Sequence, residues 1–65
     1  MNWDEIEGKW KEMKGKARER WGRLTDDDVD EAAGNREALE GKLQARYGQT
    51  KEEARREVDN WMAER

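Results

Sequence analysis

Residues 3–21, Trp3-Asp4-Glu5-Ile6-Glu7-Gly8-Lys9-Trp10-Lys11-Glu12-Met13-Lys14-Gly15-Lys16-Ala17-Arg18-Glu19-Arg20-Trp21, decide the fold. Trp3, Ile6, Trp10, Met13, Ala17 and Trp21 recur at spacings of three and four, so on a 3.6-residue period they fall on one side of a helix. Strict alternation, the mark of a half-buried strand, occurs nowhere in the stretch. Glycines 8, 15 and 22 fall opposite the apolar stripe, so no demand of the core explains them.

The same writing returns 26 residues later. Glycines stand again at 34, 41 and 48, Asp30-Glu31 repeats Asp4-Glu5, and Lys42 and Arg46 repeat Lys16 and Arg20. The stripe becomes Val29, Ala32, Arg36, Leu39, Leu43 and Tyr47, broken only by Arg36 in the place of Trp10. Two copies are too few for a solenoid, which points to paired helical hairpins. Start signals agree: Asn2, Thr25 and Thr50 each precede a carboxylate three positions on, at Glu5, Asp28 and Glu53. Gly22 and Gly48 follow aromatic residues where a left-handed helix end is expected. The pattern predicts helices near 3–21, 26–33, 36–47 and 51–64, with a break at Gly34-Asn35 and a last apolar stripe of Ala54, Val58, Trp61 and Met62. The residues expected to be most buried are Trp10, Met13, Trp21, Leu39, Leu43, Tyr47, Val58 and Trp61.

Composition sets the limits. The 65 residues carry 14 Lys/Arg and 17 Asp/Glu, and only 32% are hydrophobic. That is one domain at most, residues 1–65, and below roughly 70–80 residues a core seldom supplies more than about 3–5 kcal/mol. Cysteine and histidine are absent, as are serine, proline and phenylalanine. Thiol and serine nucleophiles, the histidine base and the usual zinc ligands go with them, so the expectation is no enzyme, no cofactor and no metal. The Asp26-Asp27-Asp28 run lacks the spread ligands and central glycine of a calcium loop and suits a helix N-terminus instead. The sequence has no apolar run of membrane-spanning length and no signal-like start, from which a soluble cytoplasmic protein is expected.

The net charge of −3 hides a division. Residues 9–23 hold Lys9, Lys11, Lys14, Lys16, Arg18, Arg20 and Arg23 against two glutamates, whereas residues 25–34 hold five acids and no base. On a continuous helix Lys14, Arg18 and Lys11 lie at about 20–80° from Trp3, and Arg20, Lys9, Lys16 and Arg23 at about 200–260°. These seven bases flank the apolar seam and form a candidate weak anion-binding surface for phosphates or an anionic membrane. Lys and Arg stems flanking a buried stripe are also ordinary in soluble bundles.

Gly15-Lys16, Trp21-Gly22-Arg23-Leu24-Thr25-Asp26-Asp27-Asp28, Gly41-Lys42 and Arg46-Tyr47-Gly48, in that order and spacing, resemble the CsbD-like bacterial general stress-response proteins over nearly the whole chain. The resemblance implies an all-α fold, a small bundle of about four helices in two orthogonally packed hairpins, similar to sterile-alpha-motif domains. It implies a process, the general stress response, and no catalytic motif to carry over. Two readings of function follow. One is a monomeric helical module that binds a protein client, with nucleic acid or anionic membrane as weak alternatives. The other is a weakly folded, hydrophilin-like protectant, in keeping with a mean hydropathy of −1.58.

Overall fold

The structure, a computed structural model, describes residues 2–64. Five helices follow one another: α1 (Trp3–Gly8), α2 (Trp10–Arg20), α3 (Asp26–Ala32), α4 (Arg36–Tyr47) and α5 (Lys51–Ala63). They pack as a small all-helical bundle, with α3 against α4, α4 against α5, and the α1–α2 arm against α3. No helix among the described residues is long and apolar enough to cross a membrane.

Four helix starts are built from local chemistry. The side chains of Asn2, Thr25, Asn35 and Thr50 accept from the backbone N–H groups of Glu5, Asp28, Ala38 and Glu53. At Thr25 and Thr50 the carboxylate three residues on returns the bond, closing two capping boxes. At the ends, Gly48 takes the left-handed conformation (φ 63°) expected of it. Gly22 does not: α2 ends on an extended Trp21 (φ −118°, ψ 90°), and the positive-φ glycines are Gly34 and Gly48. The break at Gly34-Asn35 is present, made by a left-handed Ala33 (φ 50°) and by Gly34 (φ 81°) before Asn35 starts α4.

The expected single helix over 3–21 is two helices. Lys9 (φ −114°, ψ 28°) ends α1 and begins α2. Its N–H still bonds Glu5 O at 3.1 Å, and its carbonyl opens α2 by accepting from Met13 N at 2.8 Å. The bend has a tertiary cause. A straight helix would separate Trp3 and Trp10 by about 10 Å along its axis; bent, their rings stand 6.0 Å apart and Trp3 reaches Trp61 at 6.4 Å.

The interior holds Ile6, Met13, Ala17, Trp21, Leu24, Val29, Ala32, Leu39, Leu43, Ala54, Val58 and Trp61. Complete burial of Ile6, Leu39, Leu43 and Val58 is worth about 1.5–3 kcal/mol each. Two of the residues expected to be deepest, Trp10 and Tyr47, are only half-buried, because each holds a polar edge at a boundary. Trp10 Nε1 donates to Val29 O at 2.9 Å, and Tyr47 Oη accepts from Arg23 N at 3.1 Å. Ile6 and Leu24 take their place. Leu24, in the α2–α3 link, turns inward although no helical stripe includes it.

Candidate functional site

The charge division of the sequence closes on itself in three dimensions. Lys14 pairs with Asp30 at 2.8 Å and Arg18 with Asp26 at 2.6 Å, so the basic segment spends two of its charges on the acidic one. Arg20 turns to the C-terminal segment, where it meets Glu57 of α5 at 3.8 Å and Glu64 just beyond the helix. The Arg23 guanidinium stands 5.5 Å from the Tyr47 ring centroid. The three remaining bases, Lys9, Lys11 and Lys16, are exposed and have no acidic partner among the described residues. The seven side chains therefore do not present one uniform positive field. Three lysines are open to an incoming anion, and the rest are engaged within the fold.

The acidic segment is claimed from its other side by α4. Lys42 pairs with Glu31, and Arg46 grips Asp28 with Nε at 2.7 Å and Nη2 at 3.0 Å. The bidentate Arg46 bond and the Thr25 cap hold the Asp28 carboxyl far below the usual aspartate range, against the burial that would raise it. The sequence marked Asp28 as a cap; its second role was not legible, because Arg46 lies 18 residues away.

Arg36, where the duplication loses its tryptophan, has a task that an indole cannot perform. Its Nε donates to Glu40 at 2.8 Å, while Nη2 donates to Asp59 at 2.6 Å and to the Arg55 carbonyl at 3.2 Å. This clasp fastens the start of α4 to the middle of α5 and explains how Glu40 can be buried.

The aromatic residues form a connected string. Trp10 contacts Trp3, Trp3 contacts Trp61 edge-on, and Trp61 contacts Trp21 at 5.2 Å. Trp3 Nε1 donates to Gly34 O at 2.7 Å, so Trp3 ties the first arm to the α3–α4 link and Trp10 ties it to the middle of α3 through Val29 O. An open polar recess on α5 is lined by Gln49, Glu53, Arg56, Glu57 and Asn60. Among the described residues no group of three or more acids is placed to hold a metal ion.

Comparison with known proteins places the chain in a sequence family. No solved structure matches the chain. It is 60% identical over 58 residues to the UPF0337 protein PA4738 of Pseudomonas aeruginosa, covering 89% of each chain. With the UPF0337 protein YjbJ of Escherichia coli O6:H1 it shares 54% over 61 residues, 94% of this chain and 88% of the relative. The UPF0337 protein RPA4217 of Rhodopseudomonas palustris is 54% identical over 94% of this chain and 92% of its own. The family model described as CsbD-like matches residues 4–56. Together, the ordered glycine and arginine elements, the model match and these relatives show that the chain belongs to the CsbD-like family.

Proposed function

We propose that this chain is a non-enzymatic helical interaction module of the bacterial general stress response. The observation that carries the reading is the string of four tryptophans with two indole N–H groups bonded to backbone carbonyls. Directed bonds of this kind specify a single packing, and a protectant acting by solvation has no use for one. The absence of histidine, cysteine and serine supports the non-enzymatic part. The partner in this reading is a protein. Nucleic acid and anionic membrane rank below it, since within the basic segment Lys14, Arg18 and Arg20 are already paired, which leaves Lys9, Lys11 and Lys16 as that segment's exposed lysines without an acidic partner among the described residues.

The test is spectroscopic. A structured module gives a strong near-ultraviolet dichroism signal and blue-shifted tryptophan emission, both lost together on cooperative melting. Water-like emission with a flat near-ultraviolet spectrum in native buffer would establish the protectant instead.

A further inference from the structure

The short helix α3, Asp26–Ala32, holds five acids and no base, and it gives the interior only two apolar side chains, Val29 and Ala32. By contrast, α4 and α5 together give it Leu39, Leu43, Ala54, Val58 and Trp61. At about 100° per residue, Val29 and Ala32 share one edge of α3, with Asp26 and Asp30 on one flank and Asp28 and Glu31 on the other. Asp27 falls opposite the interior, where it is exposed and has no basic partner among the described residues.

Each flank meets a basic helix. On one side Lys14 of α2 pairs with Asp30 at 2.8 Å and Arg18 with Asp26 at 2.6 Å. On the other, Lys42 of α4 pairs with Glu31 and lies 3.9 Å from Asp28, which Arg46 grips. The two sides differ in their access to water. The Asp28 side chain is 4% exposed, whereas those of Asp26 and Asp30 are 80% and 56% exposed. Dissolved ions screen exposed pairs and leave a buried one largely intact. We propose that the α2–α3 junction is a salt-responsive latch. Rising ionic strength releases α3 from Lys14 and Arg18, while Arg46 and the apolar α4–α5 side keep their hold.

Two exposed ion pairs matter here because little else closes the junction. The buried apolar side chains that α2 and α3 bring to it are Met13, Ala17, Val29 and Ala32, of which only Met13 is larger than valine. Two directed bonds complete it: Trp10 Nε1 donates to Val29 O at 2.9 Å, and Arg18 Nε donates to Leu24 O at 3.3 Å. One of these shares its side chain with the Asp26 pair, so loss of that pair loosens both. Regions with few buried apolar contacts and exposed polar ties are those that open locally before the whole fold does. Opening uncovers Trp10, whose indole then loses its acceptor. The latch needs no partner and stands independently of the protein-binding reading.

The experiment follows solvent exchange of the Trp10 indole proton by nuclear magnetic resonance in the full chain. KCl is raised from about 0.1 M to about 1 M, over which the screening length shortens from about 10 Å to about 3 Å. The backbone amide of Val58 in α5 is the internal reference. In the parent, Trp10 exchange is expected to quicken about 3-fold or more, the effect of losing two exposed pairs, with Val58 unchanged. A variant carrying Lys14→Gln, Asp30→Asn, Arg18→Gln and Asp26→Asn keeps the parent's net charge, and in it the salt dependence is expected to vanish. If that variant fails to fold by circular dichroism, Lys14→Gln with Asp30→Asn decides the matter by reducing the slope. Sucrose at matched osmolality is expected to leave Trp10 exchange no faster. A Trp10 proton indifferent to KCl, an undiminished slope in the neutralised variant, equal quickening of Val58, or equal quickening in sucrose overturns the proposal.

Discussion

Arg46 closes on Asp28 with two parallel hydrogen bonds, 2.7 Å from Nε and 3.0 Å from Nη2, and so joins the C-terminal turn of α4 to the first turn of α3. The same carboxylate accepts from Thr25 N at 3.1 Å, so one buried side chain serves a helix cap and an interhelical tie. Asp28→Ala removes both and should cost about 1.5–3 kcal/mol, the range for hydrogen bonds to a charged group. Urea midpoints at neutral pH check it. An Asp28 variant as stable as the parent would mean that the tie contributes nothing net.

Acid dependence follows from the same pair. Because the folded-state pKa of Asp28 is lowered, first by the Arg46 bond and then by the Thr25 backbone N–H, its contribution is full above the unfolded value, about 3.9. It is lost as pH falls below that value toward the depressed one. In Arg46→Ala the folded pKa moves back up, so this contribution shrinks at neutral pH and less of it remains to be lost in acid. Stability measured from pH 7 down to strong acid should therefore fall less steeply in the variant; parallel curves would refute the assignment.

Trp61 lies between Trp3 and Trp21 and is almost fully buried. Trp61→Ala should cost about 3–5 kcal/mol, as large aromatic truncations in cores do. That equals the whole stability expected at this length, so the variant should be largely unfolded at room temperature. Dichroism at 222 nm provides the measurement.

The glycines divide by their surroundings. Gly15 lies inside α2 with nothing near its missing Cβ, so Gly15→Ala should stabilise the protein by about 0.8–1 kcal/mol. Gly34 has φ 81° and Glu7 against it, so Gly34→Ala should destabilise by about 1–2 kcal/mol. Melting temperatures moving in opposite directions are the expected result.

If the chain binds anionic partners through this segment, reversal of Lys9, Lys11 and Lys16 to Glu should abolish binding to RNA or acidic vesicles. Reversal of Lys14 should matter less, because Asp30 already holds it. Binding should vanish at high salt, where screening shortens to about 3 Å at 1 M. Co-sedimentation across a salt series reads both effects.

The sequence by itself determined the helices, their faces and most of their ends. Those properties rest on the 3.6-residue period and on side chains such as Asn2, Thr25 and Thr50 that reach N–H groups three residues away. Tertiary structure alone decided the bend at Lys9, the inward turn of Leu24 and the fate of the basic segment. Trp3 finds Gly34 across 31 residues and Arg46 finds Asp28 across 18, separations that no local rule links. A bend in an otherwise continuous stripe is favoured only when distant groups gain more from it than the helix loses. The candidate anion surface changed for the same reason: helical angles placed all seven bases beside the seam, and packing then presented Asp30 and Asp26 of α3, Glu57 of α5 and Glu64 just after it to three of them.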